Sequence, residues 1–211
     1  MSQRVIFVAG ASGAVGRTVV RISGAEGVAL RAHYRKAPPA GAPAGAVIFS
    51  LDDREALLSA MNGATTVVQL IGTMRKRFGA GDTYETSDIG TTQRLVDAAK
   101  KVGSVDHVVL LSSVGAGSGW GAYLTAKAKA ESIVTGSGLP YTIFRPSAFD
   151  GEGHHAPPGM GLLSHLPGLA TIRPIEVDVL ARTILRTAQT RQPLATILEG
   201  KSLFALADSA L

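Results

Sequence analysis

Short β-branched and apolar runs alternate with longer amphipathic stretches along most of this chain. The runs predict strands near residues 4–9, 28–34, 46–50, 66–71, 107–112 and 141–145. Between them, apolar positions recur at helical spacing near 14–23, 53–61, 86–102 and 121–136, the third with Leu95, Val96, Ala98 and Ala99 on one stripe. Strand and helix in alternation predict βαβ units, hence an α/β fold with a doubly wound parallel sheet and helices on both faces. The turn-rich stretch from Pro38 to Gly45 is a surface connection, because Val47-Ile48-Phe49 resumes at once. After Pro146 the texture changes. Gly151 to Gly161 reads as an irregular loop, followed by a strand around Thr171–Ile175, a helix from Val177 to Ala188 and a last strand near Ser202 to Leu206. Residues 1–211 are expected to form a single domain, with a core over 1–150 and a small C-terminal cap over 151–211 on the substrate side.

The first strand runs straight into Gly10-Ala11-Ser12-Gly13-Ala14-Val15-Gly16 and then a helix. Three glycines at a spacing of three allow a tight turn, a close backbone approach to a pyrophosphate, and close helix–sheet packing. The new helix offers free N–H groups and partial positive charge to the anion. Gly10, Ser12, Gly13, Ala14, Val15 and Gly16 are therefore candidate cofactor contacts.

Roughly twenty residues past such a turn lies the position that meets the adenosine ribose. Here it carries Arg35 and Lys36 rather than an acid. Cations suit the 2′-phosphate of NADP(H) over the free hydroxyl of NAD(H), and arginine can grip phosphate bidentately. Arg17 reads as an exposed helix arginine. Leu51 and Asp52 follow the third strand; Asp52 can accept from an adenine amino group or cap the next helix, a role it can share with Asp53. Leu70, Ile71, Gly72 and Thr73, at the carboxyl end of the fourth strand, are expected beneath the cofactor ribose.

Ser112-Ser113 closes the fifth strand, and Tyr123-Leu124-Thr125-Ala126-Lys127 follows. On a helix Tyr123 and Lys127 share one face, so the ammonium can stabilise a phenolate and make proton exchange with a substrate oxygen feasible. Ser113 can orient that oxygen while Lys127 holds the nicotinamide ribose. Trp120 can line the pocket or pack the helix start.

Composition narrows the choice. A hydrophobic content of 45% with 18% charged residues argues for a folded globular chain, and no apolar run is long enough to span a membrane. No secretory signal is expected, since Val5–Ala9 is too short for a signal core. The absence of cysteine removes disulfides and thiolate chemistry, and fits a cytoplasmic home. A net charge of +5 comes from scattered residues apart from Arg75-Lys76-Arg77, so specific nucleic-acid binding is not expected and an anionic cofactor or substrate accounts for the excess. Glu152, His154 and His155 sit in the glycine-proline loop without metal-ligand spacing, so no metal site is expected.

Gly10-x-x-Gly13-x-x-Gly16, Ser112-Ser113, Tyr123-x-x-x-Lys127 and Arg145-Pro146-Ser147 stand in the order of the short-chain dehydrogenase/reductase superfamily. The glycine motif, Tyr84 to Lys100, and Leu139 to Pro146 resemble its atypical and extended branches, with NmrA-like proteins and small epimerase-like oxidoreductases. The resemblance implies Tyr123 as acid/base, Lys127 as activator and ribose ligand, Ser113 as carbonyl partner, and Pro146 and Ser147 at the nicotinamide end. It implies a small NADP(H)-dependent oxidoreductase acting on a carbonyl or alcohol, monomeric or homodimeric. The alternative is a non-catalytic NADP(H)-sensing regulator or assembly factor. Arg75, Lys76, Arg77 and Tyr84 are candidates for contact with an anionic substrate, and the short tail leaves little room for a nucleotide sugar.

Overall fold

The computed structural model describes residues 4–38, 43–73, 82–151 and 173–210. Seven parallel strands form one sheet: β1 (Ile6–Ala9), β2 (Leu30–Tyr34), β3 (Ala46–Ile48), β4 (Thr66–Gln69), β5 (His107–Leu111), β6 (Tyr141–Arg145) and β9 (Thr196–Glu199). Their order is β3-β2-β1-β4-β5-β6-β9, so the winding reverses between β1 and β4. A two-stranded parallel ribbon, β7 (Phe149–Asp150) with β8 (Ile175–Glu176), stands apart.

Alternating strand residues feed two cores, as the period of two requires. Ile6, Val8, Val109 and Leu111 pack with α1 (Ala14–Glu26), α5 (Val177–Thr190) and α6 (Lys201–Ser209). Phe7, Ala9, Val108 and Leu110 pack on the other face with α2 (Arg54–Met61), α3 (Thr91–Val102) and α4 (Gly121–Thr135). The expected stripe of α3, Leu95, Val96, Ala98 and Ala99, is buried. A π-helical segment, Tyr84–Gly90, leads directly into α3 and is capped by Thr83, whose hydroxyl accepts from the Thr86 N–H.

The tail departs from expectation. Ser202–Leu206 is helical, not a strand: Leu203 and Ala207 are buried four residues apart, the helical interval, and the edge strand lies upstream at Thr196–Glu199. The ribbon strand expected over Thr171–Ile175 is confined, among described residues, to Ile175–Glu176. β9 extends the main sheet beside β6, and Leu180, Ala181, Ile184 and Leu185 of α5 are buried in the core. The part of the expected cap over 152–172, with Glu152, His154 and His155, lies outside the described residues, as do Arg75, Lys76 and Arg77.

Candidate active site

The carboxyl ends of β1 and β4 diverge at the reversal of strand order, where open parallel sheets leave a crevice. A cleft of about 440 Å³ opens there, lined by Gly10, Ser12, Gly13, Arg35, Leu51, Asp52 and the run Leu70–Thr73. Gly10 has φ +97°, and a β-carbon on it would stand 2.9 Å from the Leu70 carbonyl carbon. At Gly16 a β-carbon would meet the Gly10 oxygen at 2.1 Å, so only glycine lets α1 sit this close to the turn. Gly13 has room, with its nearest contact at 3.4 Å. Gly13 precedes α1 without a side-chain cap, leaving the helix N-terminus to whatever fills the cleft. Ala14, Val15 and Gly16 are buried at the start of that helix. Arg17 is exposed and braces the turn by donating to the Ser12 carbonyl at 2.9 Å.

Arg35 lines the cleft at the end of β2 and donates to Asp82 at 2.9 and 3.5 Å. Bonding to this carboxylate pushes the guanidinium above its ordinary range. Lys36 is exposed beside it and is not among the lining residues. His33 also faces the cleft; burial pushes its imidazole below the ordinary range, against a 2.9 Å contact with the Phe49 carbonyl. Capping falls to Asp53 alone, whose side chain accepts from the Ala56 N–H, so Asp52 is not the cap. Asp52 instead pairs with Arg94 of α3 at 2.5 Å.

The strand β4 stops at Gln69, whose buried amide oxygen accepts from the Ile71 N–H at 2.9 Å and whose nitrogen donates to Thr92. That side chain shapes the Leu70–Thr73 turn. Lys127, which does not itself line the cleft, is buried 2.9 Å from Asp88 and 3.4 Å from the Leu111 carbonyl. Asp88 accepts from the Thr73 N–H with its other oxygen at 3.2 Å. The ammonium so held lies against Gly72, where a β-carbon would stand 2.9 Å from it. Lys127 is 5.8 Å from the centre of the Tyr123 ring, which is one-third exposed and tilts against Tyr84 at 5.7 Å. Asp88 thus joins Thr73 and Lys127, Lys127 lies against Gly72, and Tyr123 stands on the same face of α4 as Lys127. Asp88 and Gln69 were missed. Asp88 lies four and seven residues before Thr92 and Leu95, and an acid on that buried stripe was the available signal.

Ser112 is buried, and its N–H donates to Phe144 at 2.7 Å; Ser113, half-buried, accepts at its carbonyl from the Ala116 N–H. The Pro146 carbonyl accepts from Val114, and the Ser147 hydroxyl donates to Arg173, tying this loop to the start of the tail. Arg145 is held by Glu131 at 2.8 and 2.5 Å and by Glu199 at 3.1 Å. Trp120, 87% exposed, does not pack the start of α4. Among the described residues no group of acids and histidines could hold a metal.

Glycines that leave no room for a side chain, an uncapped helix end and buried hydroxyls of Thr73 and Ser112 without partners among described residues suit a dinucleotide. These features define a Rossmann-type α/β protein. The chain belongs to the NAD(P)H-binding family, whose model matches residues 10–199. It is 32% identical over 177 residues to the chloroplastic protein TIC 62 of Pisum sativum, covering 69% of this chain and 33% of the relative. The TIC 62 of Oryza sativa subsp. japonica is 30% identical over 176 residues, with 69% and 35% covered. The chain thus spans about a third of the length of these curated relatives. Among solved structures it resembles MoeE5 in complex with UDP-glucose and NAD, with TM-score 0.71, 20% identity, and 97% of this chain and 81% of that one covered. It also resembles the oxidoreductase YlbE of Lactococcus lactis, with TM-score 0.70, 20% identity, and 97% and 95% covered. No helix among the described residues is long and apolar enough to cross a membrane.

Proposed function

We propose that the chain is an NADP(H)-dependent oxidoreductase that moves hydride to or from a carbonyl or alcohol carbon of a small molecule. The observation that carries this reading is the buried Lys127 ammonium packed against Gly72, which lines the glycine-turn cleft, with Tyr123 one helical turn before it. The glycine turn would hold the pyrophosphate, Arg35 with Lys36 the 2′-phosphate, and Lys127 the nicotinamide ribose, with Pro146 and Ser147 at its far end. The bound nicotinamide supplies or accepts the hydride. Tyr123 donates the proton to the substrate oxygen in reduction, and Ser113 donates a hydrogen bond to that oxygen. A one-third exposed phenol exchanges its proton with water between turnovers. A cytoplasmic, monomeric or homodimeric protein completes this reading.

A panel of aldehydes, ketones and quinones with NADPH tests it. Turnover is expected, and Tyr123→Phe should lower it by roughly a hundredfold or more while leaving NADPH affinity within a few-fold. Turnover indifferent to that change removes Tyr123 as the acid. A second reading, a non-catalytic NADP(H) sensor, is favoured by one contact: Asp88 neutralises Lys127 directly, weakening its support for a phenolate. Tight NADPH binding with no turnover across the panel selects it.

A further inference from the structure

Arg35, the residue that would select the phosphorylated cofactor, already has a partner. Its Nη1 and Nη2 donate to the two oxygens of Asp82 at 2.9 and 3.5 Å, the forked approach by which a guanidinium grips a phosphate. Both residues line the cleft, Arg35 from the end of β2 and Asp82 from the residue just before the Thr83 cap of the π-helical segment. The Arg35 side chain is 66% exposed and that of Asp82 only 20%, so the carboxylate is the more fixed member and the guanidinium comes to it.

We propose that Asp82 is a specificity-determining residue: its carboxylate occupies the anion-binding fork of Arg35 in the free protein, and a 2′-phosphate must displace it. The inference rests on the reading of Arg35 as the 2′-phosphate ligand. Two anions cannot both take the same pair of N–H donors, and each added charge near the fork raises the repulsion. The apparent affinity for a 2′-phosphorylated cofactor is therefore reduced by the fraction of Arg35 that is paired, whereas NADH, which does not need the fork, is not affected. An ion pair this exposed is weak, so the discount is about threefold to fivefold and a dianionic phosphate overcomes it. Asp82 thereby sets how much NADP(H) is favoured rather than whether it binds.

Fluorescence titration of the full chain with NADPH and NADH, on wild type, Asp82→Asn, Arg35→Ala and the double variant, tests the proposal. Asp82→Asn should bind NADPH about threefold to fivefold more tightly, bind NADH as wild type does, and lose the gain in the Arg35→Ala background. The unchanged NADH affinity serves as the check that the variant is folded; Asp82→Ser provides a second substitution with the same expectation. Tightening toward both cofactors, or tightening that survives Arg35→Ala, is a general charge effect and overturns the proposal. If wild type favours NADPH through Arg35 and neither Asp82 variant changes it, Asp82 is no competitor, although the 2′-phosphate reading stands. If wild type shows no preference and Asp82→Asn creates one through Arg35, the competition stands and the native preference for NADP(H) falls. No preference in any variant overturns both.

Discussion

The ammonium of Lys127 and the carboxylate of Asp88 meet at 2.9 Å with 7% and 1% of their side chains exposed. Lys127 comes from α4 and Asp88 from the π-helical segment, so the pair clamps two elements together, and Asp88 also accepts from the Thr73 N–H. Burying either charge alone is far costlier than burying both together. Asp88→Ala and Lys127→Met should each destabilise the fold by about 3–5 kcal/mol, and the double variant by less than their sum. Urea unfolding of the four proteins measures this. Strict additivity would show that the two charges do not depend on one another.

The glycines of the turn divide by what surrounds them. Gly16→Ala puts a methyl group 2.1 Å from the Gly10 oxygen, so α1 must move off the sheet; a stability loss of about 1–3 kcal/mol is expected. Gly13→Ala meets nothing closer than 3.4 Å but adds its methyl group at the cleft wall. It should leave the melting temperature within about 2 °C and weaken dinucleotide binding roughly tenfold. Thermal unfolding and NADPH titration on the two variants separate packing from binding. A Gly13→Ala protein with full affinity would remove the turn from the binding surface.

The two acids after β3 make a smaller and sharper test. Asp53 caps α2, so Asp53→Ala should cost about 1 kcal/mol, whereas Asp52→Ala gives up exposed contacts with Arg94 and the Ser50 hydroxyl and should cost less than about 0.5 kcal/mol. Equal losses in chemical denaturation would contradict the assignment of the cap.

Strands buried on both faces announce themselves as runs such as Ile6–Ala9 and Val108–Leu111, and with right-handed crossovers the reversal of their order puts helices on both faces. Ser202–Leu206 was illegible for a physical reason. Five residues with mixed apolar character fit either period, and the distinction lies in Ala207, one turn beyond, together with the break at Gly200, where φ is +51°. The glycine turn, Tyr123 and Lys127 were readable because their spacing is local. Arg35–Asp82 and Lys127–Asp88 join residues 47 and 39 positions apart, and charge pairs at such separations are set by topology rather than by any period in the sequence. The buried Asp88 was nonetheless visible as an acid on an apolar stripe.

Acid sensitivity should come from the opposite end of the sheet. His107 opens β5, is wholly buried, and meets the Thr142 hydroxyl at 3.0 Å through Nε2. Burial, helped by the nearby cations Arg191 and Arg4, lowers its pKa to about 4, while the unfolded chain should titrate near the ordinary 6.5. Between those values the unfolded chain binds the extra proton and the folded one does not, so stability rises with pH through this window. The contribution is whole above about pH 6.5, shrinks as pH falls, and is gone below about pH 4; its size is about 3 kcal/mol. His33, lowered in the same direction by burial, adds to the slope. In His107→Asn, where an amide can still meet Thr142, urea midpoints should change much less between pH 6.5 and pH 4.5 than in wild type. Parallel curves for the two proteins would show that His107 takes up its proton without unfolding and that the acid sensitivity resides elsewhere.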